Sequence, residues 1–268
     1  MKAPTVTDRV TTRLTEFGLL TAAREWVPRF TQAHQQASFP VTLDVLDLEA
    51  EERQHRRIAR LRHASRLPPG KTFDTLEETR FPVALLQQCH ALVTGTFLET
   101  ATNVLAFGLP GVGKSHMLAA IGHALVDAGH RVLFAPAYAL VQELLAAKHA
   151  FDLPRALRKL DLVEALVIDD LGYVQQSPEE AEVLFTLLAE RYERRSTLIT
   201  SNLVFSEWQR IFKDPMATAA AIDRLVHHAV ILEFDVASYR TDKTRKAPAP
   251  RPSPKRGRPP GPLIARRK

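Results

Sequence analysis

At 268 residues with 45% hydrophobic content, the chain is long enough for one well-packed domain plus smaller parts, and no apolar run approaches the length of a membrane span. A single cysteine, Cys89, excludes an internal disulfide framework. Together with the lack of an apolar signal-like stretch at the start, it leads us to expect a reducing, cytosolic compartment. The net charge of +6 is unevenly placed: residues 243–268 carry ten Lys or Arg and seven prolines with no Asp or Glu, which leaves the remainder net acidic.

In chain order, helical spacing of apolar residues appears first in Val6 to Phe17 and again in Leu20 to Phe30. A long charged segment from Leu43 to Leu67 follows, ended by Pro68, Pro69 and Gly70. Within it Arg53, Arg56, Arg57 and Arg60 share one helix face and form a basic stripe suited to a phosphate backbone. Glu49 and Glu52, four residues ahead of Arg53 and Arg56, equally support a solvated face of ordinary ion pairs, so the DNA reading rests mainly on Arg57 and Arg60. Residues 1–90 are thus expected to form a helical N-terminal part.

Within a second expected domain over residues 91–242, residues 100–235 alternate short apolar or β-branched runs with longer helical ones. Asn103 to Phe107, Arg131 to Ala135, Ala165 to Ile168, Thr197 to Thr200 and Val230 to Phe234 are predicted strands, giving an α/β domain with a five-stranded parallel sheet. Between the first strand and a helix over His116 to Ala128 lies GLPGVGKS, residues 108–115, a complete match to the phosphate-cradling pattern of two glycines with four residues between them, followed by Lys and Ser. In that pattern the amides of Gly111, Val112, Gly113 and Lys114 point at phosphate oxygens, Lys114 reaches the β and γ phosphates, and the Ser115 hydroxyl takes a magnesium position. The nucleotide-binding stretch therefore comprises Gly108, Pro110, Gly111, Val112, Gly113, Lys114, Ser115 and His116, with ATP and magnesium as the expected ligands.

The third strand ends in Asp169 and Asp170, at the sheet edge where open α/β folds form their ligand crevice. Asp169 is the expected magnesium partner and Asp170 the group that orients or deprotonates the attacking water. Hydrolysis should be slow, because Asp reaches less far than a Glu. Ser177 and Pro178 make an N-cap and first-turn pair for a helix running to Arg194. Asn202 follows the fourth strand, where its amide could hold the water. Arg224 lies on a helix just before the last strand, placed to reach a γ phosphate bound by a neighbouring subunit; a surface arginine paired with Asp223 is the plain alternative. After Phe234 only a short link precedes the prolyl tail, so a helical lid is not expected and a neighbour should complete the site. The tail, residues 243–268, is expected to be a disordered cationic arm for nucleic acid. Its Lys255, Arg256, Gly257, Arg258 run suits either an A·T minor groove or generic charge attraction. Trp26 and Trp208 read as core residues without a functional role.

Five stretches, GLPGVGKSH, LVIDDLGY, LFTLLAERYERRSTLITSNLVFSEWQRIF, AIDRLVHHAVIL and SYR, resemble in order and spacing the IstB-type helper ATPases of bacterial insertion sequences, relatives of the DnaC-type helicase loaders in the AAA+ group. The resemblance implies an AAA+ P-loop ATPase core and an ATPase that assembles as a ring or spiral homo-oligomer on duplex DNA. It further implies that the assembly deforms the DNA and recruits or stimulates a cognate transposase, in the bacterial cytoplasm at the nucleoid. By position, Lys114 and Ser115 correspond to the first ATP motif, Asp169 and Asp170 to the second, Asn202 to the first sensor and Arg224 to the finger acting in trans. Arg240 falls on a basic position of unassigned role. Two features depart from the pattern: Asp235, Val236 and Ala237 replace a glycine-containing turn before SYR, and the basic tail extends past the family core. A replicative helicase loader and a small-molecule kinase share the phosphate loop and stand as alternatives.

Overall fold

In a computed structural model, residues 3–172 and 177–236 are described. Three helices come first: α1 (Val6–Glu16), α2 (Leu20–Gln32) and α3 (Phe39–Ala64). Helix α1 begins with a capping box in which Thr5 and Asp8 satisfy each other's amides. Val10, Leu14 and Leu43 form a small apolar cluster where these helices cross, with Trp26 packed against it, and Asp47 of α3 accepts from Arg13 Nε at 2.6 Å and Arg9 Nη2 at 3.2 Å.

The remainder is built as helix α4 (Val83–Leu92), strand β1 (Asn103–Gly108), α5 (Lys114–Asp127), β2 (Val132–Pro136), α6 (Ala137–His149), α7 (Leu153–Asp161), β3 (Ala165–Leu171), α8 (Pro178–Arg191), β4 (Ser196–Ser201), α9 (Gln209–Phe212), α10 (Pro215–Val226) and β5 (Ala229–Phe234). All five strands pair in parallel, as the sequence predicts, and their order is β2-β3-β4-β1-β5. Both faces are covered, which is why β1 and β3 read as continuous apolar runs. Alternate residues serve opposite faces: Val104, Val167 and Leu198 pack with α4 and α5, whereas Leu105, Leu166 and Ile199 pack with α6, α8, α9 and α10. Trp208, fully buried, belongs to the second cluster and donates Nε1–H to the Leu203 carbonyl.

The far end of α3 docks on the sheet domain. Arg57 Nη2 donates to the Gly129 carbonyl at 3.0 Å, Arg62 pairs with Asp127 at 2.5 Å, and the Ser65 carbonyl accepts from the Phe134 amide of β2 at 2.7 Å. Leu67, Leu85, Cys89 and Leu92 are members of the cluster beneath α5. Burial there pushes the Cys89 thiol up to about 12.

Two differences from the predicted elements have local causes. Strand β3 runs on through Asp169 and Asp170 to Leu171 because a bulge inserts one residue: Ile168 pairs with Ile199 and Leu171 with Ser201, so β3 takes three steps against two of β4. Helix α8 stops at Arg191 rather than Arg194 because Tyr192 turns extended. The buried guanidinium of Arg191 there satisfies the carbonyls of Leu160, Val163 and Ser196 at 2.8, 3.2 and 2.7 Å. Its start is as predicted, with Ser177 as cap and Glu180 completing the box.

Candidate nucleotide site

The C-terminal ends of β1, β3 and β4 lie side by side, and the loops leaving them enclose a cavity of about 440 Å³. That volume falls in the range of small-molecule sites. Its walls include Pro110, Gly111, Val112, Gly113, Lys114, Ser115 and His116 from the loop between β1 and α5, with Asp170 and Asn202 from the ends of β3 and β4.

The loop owes its shape to backbone that only glycine accommodates easily. Gly113, at φ +102°, ends the loop as the cap of α5, and a Cβ there would sit 3.0 Å from the Phe81 ring. Gly108, at φ +152°, passes so close to β5 that a Cβ would meet the Phe234 carbonyl oxygen at 2.6 Å. The resulting turn aims the first amides of α5, and the positive end of its dipole, into the cavity. Lys114, 5% exposed, donates from Nζ to the carbonyls of Gly108 at 2.6 Å and Leu109 at 2.9 Å, folding its ammonium back over the loop.

The acidic pair is sorted by the bulge. Asp170 adopts φ +58°, a left-handed conformation that costs a non-glycine residue about 1 kcal/mol and that Asp tolerates better than most. This conformation places it on the cavity wall, whereas Asp169 is 8% exposed behind it. One side chain holds both: Thr200 of β4 donates from Oγ1 to Asp169 Oδ1 at 2.6 Å and accepts from the Asp170 amide at 2.8 Å. Ser115 lines the cavity and Asp169 is not among its lining residues; the hydroxyl of the one and the carboxylate of the other are the hard oxygen donors that a magnesium-like cation takes.

The opposite wall comes from the stretch that follows the helix terminator Pro68, Pro69 and Gly70, for which the sequence alone assigns no role. Residues 70–81, with 3₁₀ turns at Phe73–Thr75 and Glu78–Arg80, contribute Lys71, Leu76, Glu77, Arg80 and Phe81. Two histidines of α5 fasten this segment and the turn just before it: His116 Nε2–H donates to the Thr72 carbonyl at 3.0 Å and His123 Nε2–H to the Pro68 carbonyl at 3.1 Å. No local pattern marks these residues as site residues, because only the docking of α3 brings them over the loop. Thr200 carries no mark for a related reason, being one of four Ser and Thr residues in a fully buried strand.

Other predicted residues lie elsewhere. Arg224 is on α10, outside the cavity, with its Cζ 5.0 Å from the Phe185 ring centroid and Nη1 donating to the Ala220 carbonyl. On α3, Arg53 pairs with Glu49 at 2.6 Å and stacks 4.1 Å over Phe17, and Arg56 pairs with Glu52 at 3.3 Å. Arg57 is engaged with Gly129, and Arg60 Nε donates to the Arg56 carbonyl. Arg240, Lys255, Arg256 and Arg258 lie outside the described residues.

A family model described as IstB-like ATP binding protein matches residues 11–247. The chain belongs to this family. Among curated relatives, one from Sinorhizobium fredii, named as an insertion sequence ATP-binding protein, is 42% identical over 87% of this chain and 80% of its own length. Another, named for insertion sequence IS21 of Pseudomonas aeruginosa, is 40% identical over 70% and 71%. Of solved structures, the DnaC helicase loader superposes with a TM-score of 0.54 at 21% identity over 62% of this chain and 97% of that one. Domain III of DnaA from Thermotoga maritima superposes at 0.51 with 18% identity, over 66% and 72%. This family member thus has the AAA+ P-loop fold. No helix among its described residues is long and apolar enough to cross a membrane.

Proposed function

We propose that this IstB family member is an ATP-dependent, DNA-binding helper of transposition. It binds ATP with magnesium, oligomerises as a ring or spiral on duplex target DNA, deforms that DNA and recruits or stimulates a transposase, and hydrolysis releases the assembly. The observation that best supports this reading is the single cavity in which the phosphate loop, Asp170 and Asn202 meet.

In this scheme a triphosphate draws Lys114 from the Gly108 and Leu109 carbonyls toward its β and γ oxygens, while the amides of residues 111–114 receive the remaining charge. Ser115 and Asp169 would hold the magnesium ion, which when bound would neutralise developing phosphate charge. Asp170 and Asn202 orient water for in-line attack, and Asp170 takes its proton. Arg224 acts on the γ phosphate held by an adjoining subunit, a role consistent with its place outside its own cavity. The basic face of α3 and the tail residues Lys255, Arg256 and Arg258 meet the DNA backbone. The exposed ion pairs of Arg53 and Arg56 do not oppose this, since such pairs are worth about 0–1 kcal/mol and exchange readily for phosphate.

The test is ATP hydrolysis and particle mass with and without duplex DNA. Expected are slow hydrolysis that duplex DNA stimulates and nucleotide-dependent multimers; Lys114→Ala should abolish both. A strictly monomeric protein whose DNA affinity is indifferent to ATP would remove the proposal.

A further inference from the structure

At the end of the sheet opposite the cavity, two turns bring together three metal-competent side chains that the ATP scheme does not use. Glu193 lies in the turn between α8 and β4, and His227 and His228 lie between α10 and β5. One donor atom of each can be chosen so that all three fall within 4.8 Å of one another. All three residues are exposed, and the two imidazole rings are 4.3 Å apart between centroids.

The frame beneath them is fixed. Asn103, the first residue of β1 and 7% exposed, donates from Nδ2 to the Leu225 carbonyl at 3.1 Å and accepts at Oδ1 from the Thr197 amide at 2.9 Å. Its own amide donates to the His228 carbonyl at 2.8 Å. One buried side chain and its backbone therefore tie the histidine turn to the start of β4, two residues beyond the glutamate turn. The imidazole of His227 is further located by the Tyr192 hydroxyl, 2.7 Å from Nδ1, while Glu193 Oε1 lies 3.6 Å from the same nitrogen.

We propose that Glu193, His227 and His228 form a three-ligand site for a divalent transition metal, with zinc as the reference ion. Two imidazoles and one carboxylate are a donor set of borderline softness that zinc, cobalt and nickel accept and that calcium and magnesium, which prefer all-oxygen shells, do not. Zinc ligands at about 2.0–2.2 Å from the ion require the donors to close by roughly an ångström, a movement available to exposed side chains through rotamer change. With Tyr192 at Nδ1, His227 offers Nε2 to the ion, and the hydroxyl then serves as the outer partner that orients the ring. A fourth position remains for water or for a donor from another molecule. The ion would staple the α8–β4 turn to the α10–β5 turn, and binding only the folded arrangement would stabilise it.

The site is tested with untagged full-length protein and zinc sulfate, titrated in competition with a chromophoric chelator. One equivalent should bind with micromolar affinity, and zinc should raise the thermal midpoint. Glu193→Gln and His228→Ala should each weaken binding at least tenfold and lose the thermal shift, whereas His55→Ala, an exposed histidine on α3, should retain both. Cobalt in place of zinc should give visible d–d absorption that His228→Ala abolishes. Zinc affinity unchanged in both Glu193→Gln and His228→Ala, or no saturable one-to-one binding by the unaltered chain, overturns the proposal. Because neither ATP nor DNA is present, this outcome is independent of the proposed ATPase function.

Discussion

Thr200 shows how one hydroxyl organises a site. Its donation to Asp169 and its acceptance from the Asp170 amide tie the two carboxylates to β4, so the bulge that exposes one and buries the other is held at a single point. Thr200→Val keeps the shape and removes both bonds, leaving a buried carboxylate oxygen and a backbone amide to find other partners. Unfilled buried groups of this kind cost about 1–3 kcal/mol. The expected outcome is a stability loss of that order by chemical denaturation, ATP affinity within a few-fold of the unaltered chain, and hydrolysis reduced at least tenfold. A variant with unchanged turnover would show that the Asp170 geometry does not depend on this clamp. The phosphate loop and acidic pair were legible in the sequence because each is a contiguous run whose spacing carries its chemistry. Thr200, one of several Ser and Thr in STLITS, carried no such mark.

Among the secondary elements, helix α8 illustrates the division between what is written locally and what tertiary structure decides. Its start was predictable from Ser177, Pro178 and Glu180, three residues that cap the first turn by themselves. Its end was not, because Arg191 turns inward to satisfy carbonyls at the end of α7, in the following loop and at the start of β4. Burial lowers the pKa of this guanidinium to about 9 against the pull of Asp161, and the three carbonyls, with Thr197 Oγ1, compensate by accepting its protons. Arg191→Ala should therefore destabilise by about 3–5 kcal/mol, visible as a lower denaturation midpoint with unaltered slope. A loss below 1 kcal/mol would mean that water replaces the guanidinium. The segment 70–81 is the same lesson at larger separation: its residues become cavity wall only through His116, His123 and the docking of α3.

For the whole molecule, the five-stranded parallel sheet followed from the alternation of short apolar runs and helices, whereas the strand order is set by tertiary packing that no local run encodes. The proposed role of Arg224 belongs at this scale, because it requires two copies. Arg224→Ala should bind ATP normally yet hydrolyse it at least tenfold more slowly. Mixing that variant with Lys114→Ala should restore part of the activity, since one copy supplies the arginine and the other the phosphate loop; no recovery in mixtures would place the arginine outside a shared site. The docking of α3 bears finally on self-association through strand addition. Strand β2 is an outer strand, and by its two-residue period Val132, Phe134 and Pro136 face away from β3. The Phe134 amide is already spent on Ser65, and Pro136 has no amide to offer, so this flank is a poor template for a foreign strand. Among the described residues β5 is the other outer strand, and fibres that grow flank to flank need two receptive sides. Such stacking would stop at a pair.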